Sequence, residues 1–410
     1  MLDITFSASL ETTTGFTLNT DKLNTGVLGY LETPLNASIR SASWKRGRDS
    51  ILDNFSAGSA QVVFDNRDRL FDPSNTSSTL YGELYPGRAF TLFMSQGALT
   101  VQVFSGYVDS WTYDYTLSGD ATVTVNVLDA FSYLANQTIV SVTAPAETSG
   151  ARMTRVLAAI GWPVSKQSID TGYSTLAAET ITDANALDYM ASVAQSEFGM
   201  FFADRAGVLK FRQRNRVNTF SDLRVRNTND VNSYIEDIQF DYSFDRVFNK
   251  VTLTNSAVPA TATAQDSTSI GTYSARPASF DVLISSSTQM QSIANGLVSL
   301  YGYPEFIAKN VTINLDALEL IVTGGVQTNA MIDQSTIDVG YLTSVYWEPP
   351  GSVGGADPIS LPALMITGVG YDCSPGSYRV TLQLDYAFGY DSLILDDGDL
   401  GRLNVGKLGV

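Results

Sequence analysis

Apolar and polar residues alternate along most of this chain, as they do in strands whose successive side chains face opposite sides of a sheet. Ala121-Thr-Val-Thr-Val-Asn-Val127 alternates without a fault, with Val123, Val125 and Val127 on one side and Thr122, Thr124 and Asn126 on the other. The same period runs through Val251–Thr254, Val311–Leu315 and Val380–Leu384, and turn clusters such as Asn66–Asp68 and Ser374–Gly376 separate such runs. Antiparallel barrels or sandwiches are the expected outcome.

Three segments switch to helical spacing. Met153, Val156, Leu157 and Ile160 share one face, and Gly161 and Pro163 end it. After Asp183, read as an N-cap, Leu187, Met190, Ala191, Ala194 and Phe198 form a stripe that Gly199 terminates. A third helix, from near Thr288, aligns Met290, Ile293, Ala294, Leu297 and Tyr301 and breaks at Gly302 and Pro304. The expected fold class is mainly β with a small α/β insertion: two related antiparallel β-barrel domains and few helices. Its divisions are an N-terminal arm (1–38), a first barrel (39–140), a small α/β domain (147–216), a second barrel with one helix (217–388) and a C-terminal arm (389–410).

Two internal echoes bear on this. Val123-Thr-Val-Asn-Val-Leu-Asp-Ala-Phe131 is repeated as Val380-Thr-Leu-Gln-Leu-Asp-Tyr-Ala-Phe388, with Phe104–Asp109 upstream of one copy and Ile366–Asp372 upstream of the other. Two barrels closing on the same hairpin explain it; shared amphipathic composition is the alternative. Leu23-Asn-Thr-Gly-Val-Leu-Gly29 is echoed by Leu403-Asn-Val-Gly-Lys-Leu-Gly409, read either as an exchanged edge strand or as two glycine turns.

Composition then narrows the chemistry. The 410 residues are 44% apolar and 16% charged, an ordered globular mixture whose length predicts two to four domains. There is no His, which removes Ser–His and Cys–His pairs and His-ligated zinc, and the single Cys373 allows neither an intrachain disulfide nor a thiolate cluster. Lys and Arg number 25 against 42 Asp and Glu, a net charge of −17 that argues against an adhesive nucleic-acid surface. No apolar run approaches the ~18–20 residues of a spanning helix, and Met1–Asp3 leads into Ile4-Thr5-Phe6 without the features of a secretory leader.

Motifs for nucleotide loops and nucleophile elbows are missing: Gly172-Tyr-Ser-Thr-Leu176 lacks the final glycine of the elbow, and Gly368–Cys373 lacks the third glycine and the helix of a dinucleotide loop. Paired carboxylates remain open to a His-free chain. Glu197, next to Phe198, is the best-isolated acid and is equally accounted for as the polar face of its helix. Asp65-Asn-Arg-Asp68 and Asp396-Asp-Gly-Asp399 have the oxygen density of calcium loops without the spacing, so turn chemistry is the preferred reading. Arg205, Lys210, Arg212, Arg214, Arg216, Arg224 and Arg226 form a basic cluster, read as an inter-subunit salt-bridge face. Trp44, Trp111 and Trp347 are either core residues or sugar platforms.

One ordered series of motifs resembles a known family. Arg46-Gly-Arg48, Ala57–Phe64, Asp65-Asn-Arg-Asp-Arg-Leu-Phe-Asp-Pro73, Tyr81-Gly-Glu-Leu-Tyr-Pro-Gly-Arg88 and Phe104-Ser-Gly-Tyr-Val-Asp109 together look like the first barrel of bacteriophage minor tail proteins of the tail-hub type. Asn185–Met190, Phe198–Phe202 and Asp204–Phe211 resemble the α/β piece that interrupts such barrels, so the resemblance spans roughly 39–216. It implies a structural virion protein without catalytic, cofactor or metal residues, made in the host cytoplasm and placed at the distal tail tip. It further implies a homotrimer whose two barrels per chain make a pseudo-sixfold ring, contacting the distal tail protein ring, the tape measure protein, and tip or fibre proteins, with genomic DNA passing through the lumen unbound. Alternatives are the hexameric distal tail protein and a glycan-binding or glycan-cleaving tail-tip component. The expected interface residues are Arg46, Arg48, Asp65, Asp68, Asp72, Arg212, Arg214, Arg216, Asp396, Asp397, Leu403 and Leu408.

Overall fold

The computed structural model describes residues 4–12, 31–35, 37–48, 55–96, 99–214, 220–227, 235–314, 321–323, 326–328, 337–350 and 358–386. Thirteen strands make one large sheet. In chain order they are β1 (Ile4–Thr12), β2 (Leu31–Leu35), β3 (Ile39–Gly47), β4 (Ser59–Asp65), β5 (Ala89–Gln96), β6 (Leu99–Tyr115), β7 (Ala121–Leu128), β8 (Phe220–Arg226), β9 (Ile235–Asp241), β10 (Ile307–Asn314), β11 (Leu342–Trp347), β12 (Ile359–Ser374) and β13 (Ser377–Tyr386). Their order is β9-β10-β13-β12-β3-β4-β7-β6-β5-β1-β2, with β11 on β12 and β8 on β11. Within this sheet, among the described residues, only the β8–β11 pair is parallel.

The order repeats: β3-β4-β7-β6-β5 in the first half matches β9-β10-β13-β12-β11 in the second. Irregularities of register repeat as well. Arg40 is the extra residue of β3, beside Ile39, which leads across β4 through Phe64 to Val123. Glu236 is the extra residue of β9, beside Ile235, which leads across β10 through Ile313 to Val380. In the long strands, Asp109 is the extra residue after Val108, opposite Val127, and Thr367 the extra residue after Ile366, opposite Leu384. Both bulge pairs equate Val123 with Val380 and Val127 with Leu384, the spacing of the sequence echo. Upstream the echo needs correction, because the residue equivalent to Ile366 is Val108 rather than Phe104.

Each half rolls up on itself. β1 and β3 are separated by four strands along the sheet, yet the rings of Phe6 and Trp44 lie 6.0 Å apart. β9 and β11 are separated by three, and Phe240 meets Trp347 at 6.3 Å. The inward positions are the apolar phase of each strand: Val123, Val125 and Val127 of β7, and Val380, Leu382 and Leu384 of β13, are all fully buried.

Two α/β inserts leave the barrels. The first holds α1 (Ala130–Ala135), α2 (Ser149–Ala159) and α3 (Ala186–Glu197), with Leu209–Arg212 paired to both Gln167–Ile169 and Met200–Ala203. The second places Lys250–Asn255 between Ala260–Gln265 and Pro277–Asp281, with α4 (Ser267–Tyr273) and α5 (Ser287–Tyr301) beside them. The inserts touch where the Leu283 amide donates to Ser196 Oγ at 2.8 Å and Phe198 meets Phe280 edge-on.

Several expectations are corrected. Among the described residues there are five helices, not three, and the second β region carries two helices and a sheet of its own rather than one helix. The N-terminal stretch read as an arm supplies β1 and β2 to the sheet, β1 pairing with β5 from Ile4↔Gln96 to Leu10↔Phe90. The N-cap of α3 is Asn185, whose side chain accepts from the Leu187 and Asp188 amides; Asp183 lies two residues earlier, in a strand. At the other end of α3 the left-handed residue is Phe198, φ 50°, while Gly199 is needed because a Cβ there would sit 2.3 Å from the Arg212 carbonyl oxygen.

Candidate functional site at the joint between the barrels

β12 is sixteen residues long and serves both barrels along one edge. Its first part, Ile359–Met365, bonds β11 of its own barrel; its last part, Gly368–Cys373, bonds β3 of the other, from Gly368↔Gly47 to Cys373↔Ala42. The change of partner falls at the Thr367 bulge. Bulges redirect a strand and increase its local twist, and here the Thr367 carbonyl accepts from the Arg48 amide at 2.9 Å. Close approach requires glycine at Gly47, whereas at Gly368 the nearest atom is the end of a flexible side chain. Gly47 has φ +109°, and a Cβ on it would lie 2.3 Å from the Thr367 oxygen; one on Gly368 would lie 2.1 Å from Gln383 Oε1.

Side chains secure the joint from the inner face. Trp44 stacks on Tyr371 with centroids 4.5 Å apart and planes 12° apart, both rings buried. Burial pushes the Tyr371 phenol pKa up, so the ring stays neutral. Arg46 Nη1 donates to Asp338 Oδ1 at 2.7 Å, and both side chains are buried. That pair ties β3 to the turn before β11, where the Gly340 amide donates to the Ile366 carbonyl. The Arg48 guanidinium lies over the Phe55 ring at 4.3 Å. On the opposite, polar face of the strands, Ser43, Lys45, Gln61, Asn126, Asp372 and Thr381 border a groove of about 550 Å³.

The other expected interface residues stand elsewhere. Asp65 binds Arg67 and Arg40, and Asp72 binds Arg69 and Ser74, so neither meets Arg46 or Arg48. The Arg67 guanidinium and amide beside Asp65 hold its carboxyl well below the usual range; Ser74 and Arg69 hold Asp72 at about 2. Asp68 accepts from the Leu70 amide, so the segment is built by turn chemistry. Among the described residues no three Cys, Asp or Glu side chains form a group able to hold a metal ion. Much of the basic cluster is spent within the chain: Lys210 on Asp204, Arg212 on Asp170 and Arg214 on Glu197. Arg216, Asp396, Asp397, Leu403, Leu408 and the terminal echo lie outside the described residues.

Glu197 is fully buried rather than on a solvated face. Its carboxylate accepts from Ser149 Oγ at 2.8 Å, from the Tyr173 and Ser174 amides and from Arg214. Four donors on one buried carboxylate make a clamp between α2, the 172–174 loop and α3. Arg152, equally buried, binds Glu147, Glu179, Tyr189 and the carbonyls of Pro145 and Ala177. Neither was legible as buried, since most of their partners are distant in sequence. The tryptophans pack: Trp44 on Tyr371, Trp111 on Phe71 and Trp347 on Phe240. No described helix is long and apolar enough to cross a membrane, which says nothing of strands.

No family model matches the sequence, and no curated protein sequence does. Solved structures do. A tail protein from Neisseria meningitidis MC58 superposes with a TM-score of 0.56 at 13% identity, over 94% of this chain and 98% of that one. The 43 kDa tail protein of prophage MuSo2 from Shewanella oneidensis gives 0.54 at 13% identity, over 94% and 97%. This chain shares its fold with these tail proteins over 94% of its length.

Proposed function

We propose, from a fold shared over 94% of its length with tail proteins, that this chain is a structural component of a phage tail, acting as a trimeric hub at the distal end. The observation that carries the reading is the duplicated barrel: one chain presents the same five-strand order twice, edge to edge in one sheet. Three such chains supply six equivalent barrels, the arrangement needed to match a sixfold tube above to a threefold tip below. Work of this kind is done by surfaces and rigidity, and the Thr367 joint fixes the angle between barrels through backbone hydrogen bonds instead of a linker.

In this reading the hub contacts the distal tail ring and the tape measure protein above, and tip or fibre proteins below. The net charge of −17 lets DNA traverse a lumen without being held, because repulsion replaces counterion release. Light scattering on the purified chain at several concentrations tests the reading: a mass near three protomers supports it, near six favours the distal ring protein, and a monomer at every concentration rejects an autonomous trimer.

A further inference from the structure

We infer that the free edge of β9 pairs with the free edge of β6 in a second copy of this chain, repeating between chains the joint that β3 and β12 make within one. The inference rests on the oligomeric hub reading and specifies its interface. β6 carries β7 on one edge along Tyr107–Tyr115, and β5 on the other only as far as Tyr107. Among the described residues, no strand covers that second edge over Ser110–Tyr115. It is the equivalent of the edge of β12 over Gly368–Cys373, which β3 occupies. Among the described residues β9, the equivalent of β3, pairs with β10 alone. The described sheet therefore begins with the equivalent of the strand that the joint uses, β9, and carries in β6 a split edge equivalent to the one that receives it. Unpaired edges of this kind recruit strands.

The bulges set the register. Equating Arg40 with Glu236 places Ala42 on Ile238 and Trp44 on Phe240; equating Asp109 with Thr367 places Tyr371 on Tyr113 and Cys373 on Tyr115. Transferring the β3–β12 pairing gives Ile238 opposite Tyr115, Gln239 opposite Asp114, Phe240 opposite Tyr113 and Asp241 opposite Thr112. No like charges oppose. The Trp44–Tyr371 stack becomes a Phe240–Tyr113 pair on the same inner face. Exposure agrees: Trp44 and Tyr371 are 3% and 5% exposed at the formed joint, whereas Phe240 and Tyr113 are half-buried and Tyr115, at the same edge, is 57% exposed. The glycines that approach the bulge, Gly47 and Gly368, correspond to Ser243 and Ser110, so the pairing covers Ile238–Asp241 and stops short of the bulge. Because the two surfaces differ, the contact is head-to-tail and closes into a ring when the rotation allows.

The test is oxidative cross-linking of two double variants, Ile238→Cys with Tyr115→Cys and Gln239→Cys with Asp114→Cys. Consecutive antiparallel pairs alternate in type, so one of them is the closer, non-hydrogen-bonded kind. Cys373 is fully buried and serves as the background. Under oxidation one double variant is expected to form a covalent ladder ending at the ring size, while a mixture of the matching single variants stops at dimers. A closed oligomer by light scattering without cross-links in either variant overturns the pairing and leaves the hub standing. Cross-links in an oligomer other than a trimer keep the pairing and reject the trimer. A monomer without cross-links at every concentration overturns the pairing.

Discussion

Arg46 and Asp338 lie 292 positions apart in the chain and meet in a buried ion pair at 2.7 Å. The first belongs to a strand of the first barrel and the second to the turn leading into β11 of the other, so the pair spans the joint. Removing one partner strands the other's charge away from water, whereas removing both does not.

Arg46→Ala and Asp338→Ala are each expected to destabilise the protein by about 3–5 kcal/mol. An apolar double replacement such as Arg46→Met with Asp338→Leu is expected to recover most of the loss. Denaturant unfolding of the three variants decides; equal losses in single and double variants would refute the account.

Gly47→Ala tests the backbone rather than the charge. Its φ of +109° costs a residue with a side chain about 1–3 kcal/mol, and the added Cβ collides with the Thr367 carbonyl. Faster amide exchange should appear along β3 and the last part of β12 while the core of β7 stays protected. Uniform exchange across both barrels would contradict a local joint.

Glu197→Gln keeps the size of the side chain but turns an NH2 toward donors already aimed at the site. A loss of about 3 kcal/mol or more is expected, with Ser149→Ala costing about 1 kcal/mol. Thermal unfolding reads both, and a neutral Glu197→Gln would show that the clamp is dispensable.

Asp129, the N-cap of α1, is buried, and burial pushes its carboxyl pKa from 3.8 up to about 7 against the opposing bonds from the Phe131 and Gly58 amides. The folded state then holds a proton that the unfolded chain releases. This contribution is full below about pH 4 and is lost as pH rises through about 7. Stability should fall across that window, and Asp129→Asn should flatten the slope; an unchanged profile would assign the slope to other groups.

Much of the fold was legible because burial on one face writes a period of two into the chain. Val123, Val125 and Val127 announce β7 for that reason, and the echo at Val380 was sound because the same hairpin lines both barrels. β1 was missed: its outward and inward positions are both filled with small residues such as Ser7, Ala8 and Ser9, which carry little contrast. α1 has six residues, too few for a helical stripe. The repeat is masked elsewhere by exchanged charge, since the bulged Arg40 binds Asp65 and Asp120 while the bulged Glu236 binds Arg379. The joint and the Glu197 clamp were invisible because both are made by residues that meet only in three dimensions. Local spacing identifies elements, not their distant partners.

The split edge of β12 also governs when the molecule can be finished. β3 is synthesised early, but the strand that covers it comes only near the far end of the described chain, after both inserts. Until then the first barrel carries an open edge, and the loop to be closed is among the longest the chain contains, which slows folding. During that interval the open edge of β3 is exposed to strands of other copies. Wrong pairings between nascent copies thus compete with the internal joint. Once that joint is complete the edge of β3 is no longer open, so the order of folding also limits the number of ways in which copies can associate.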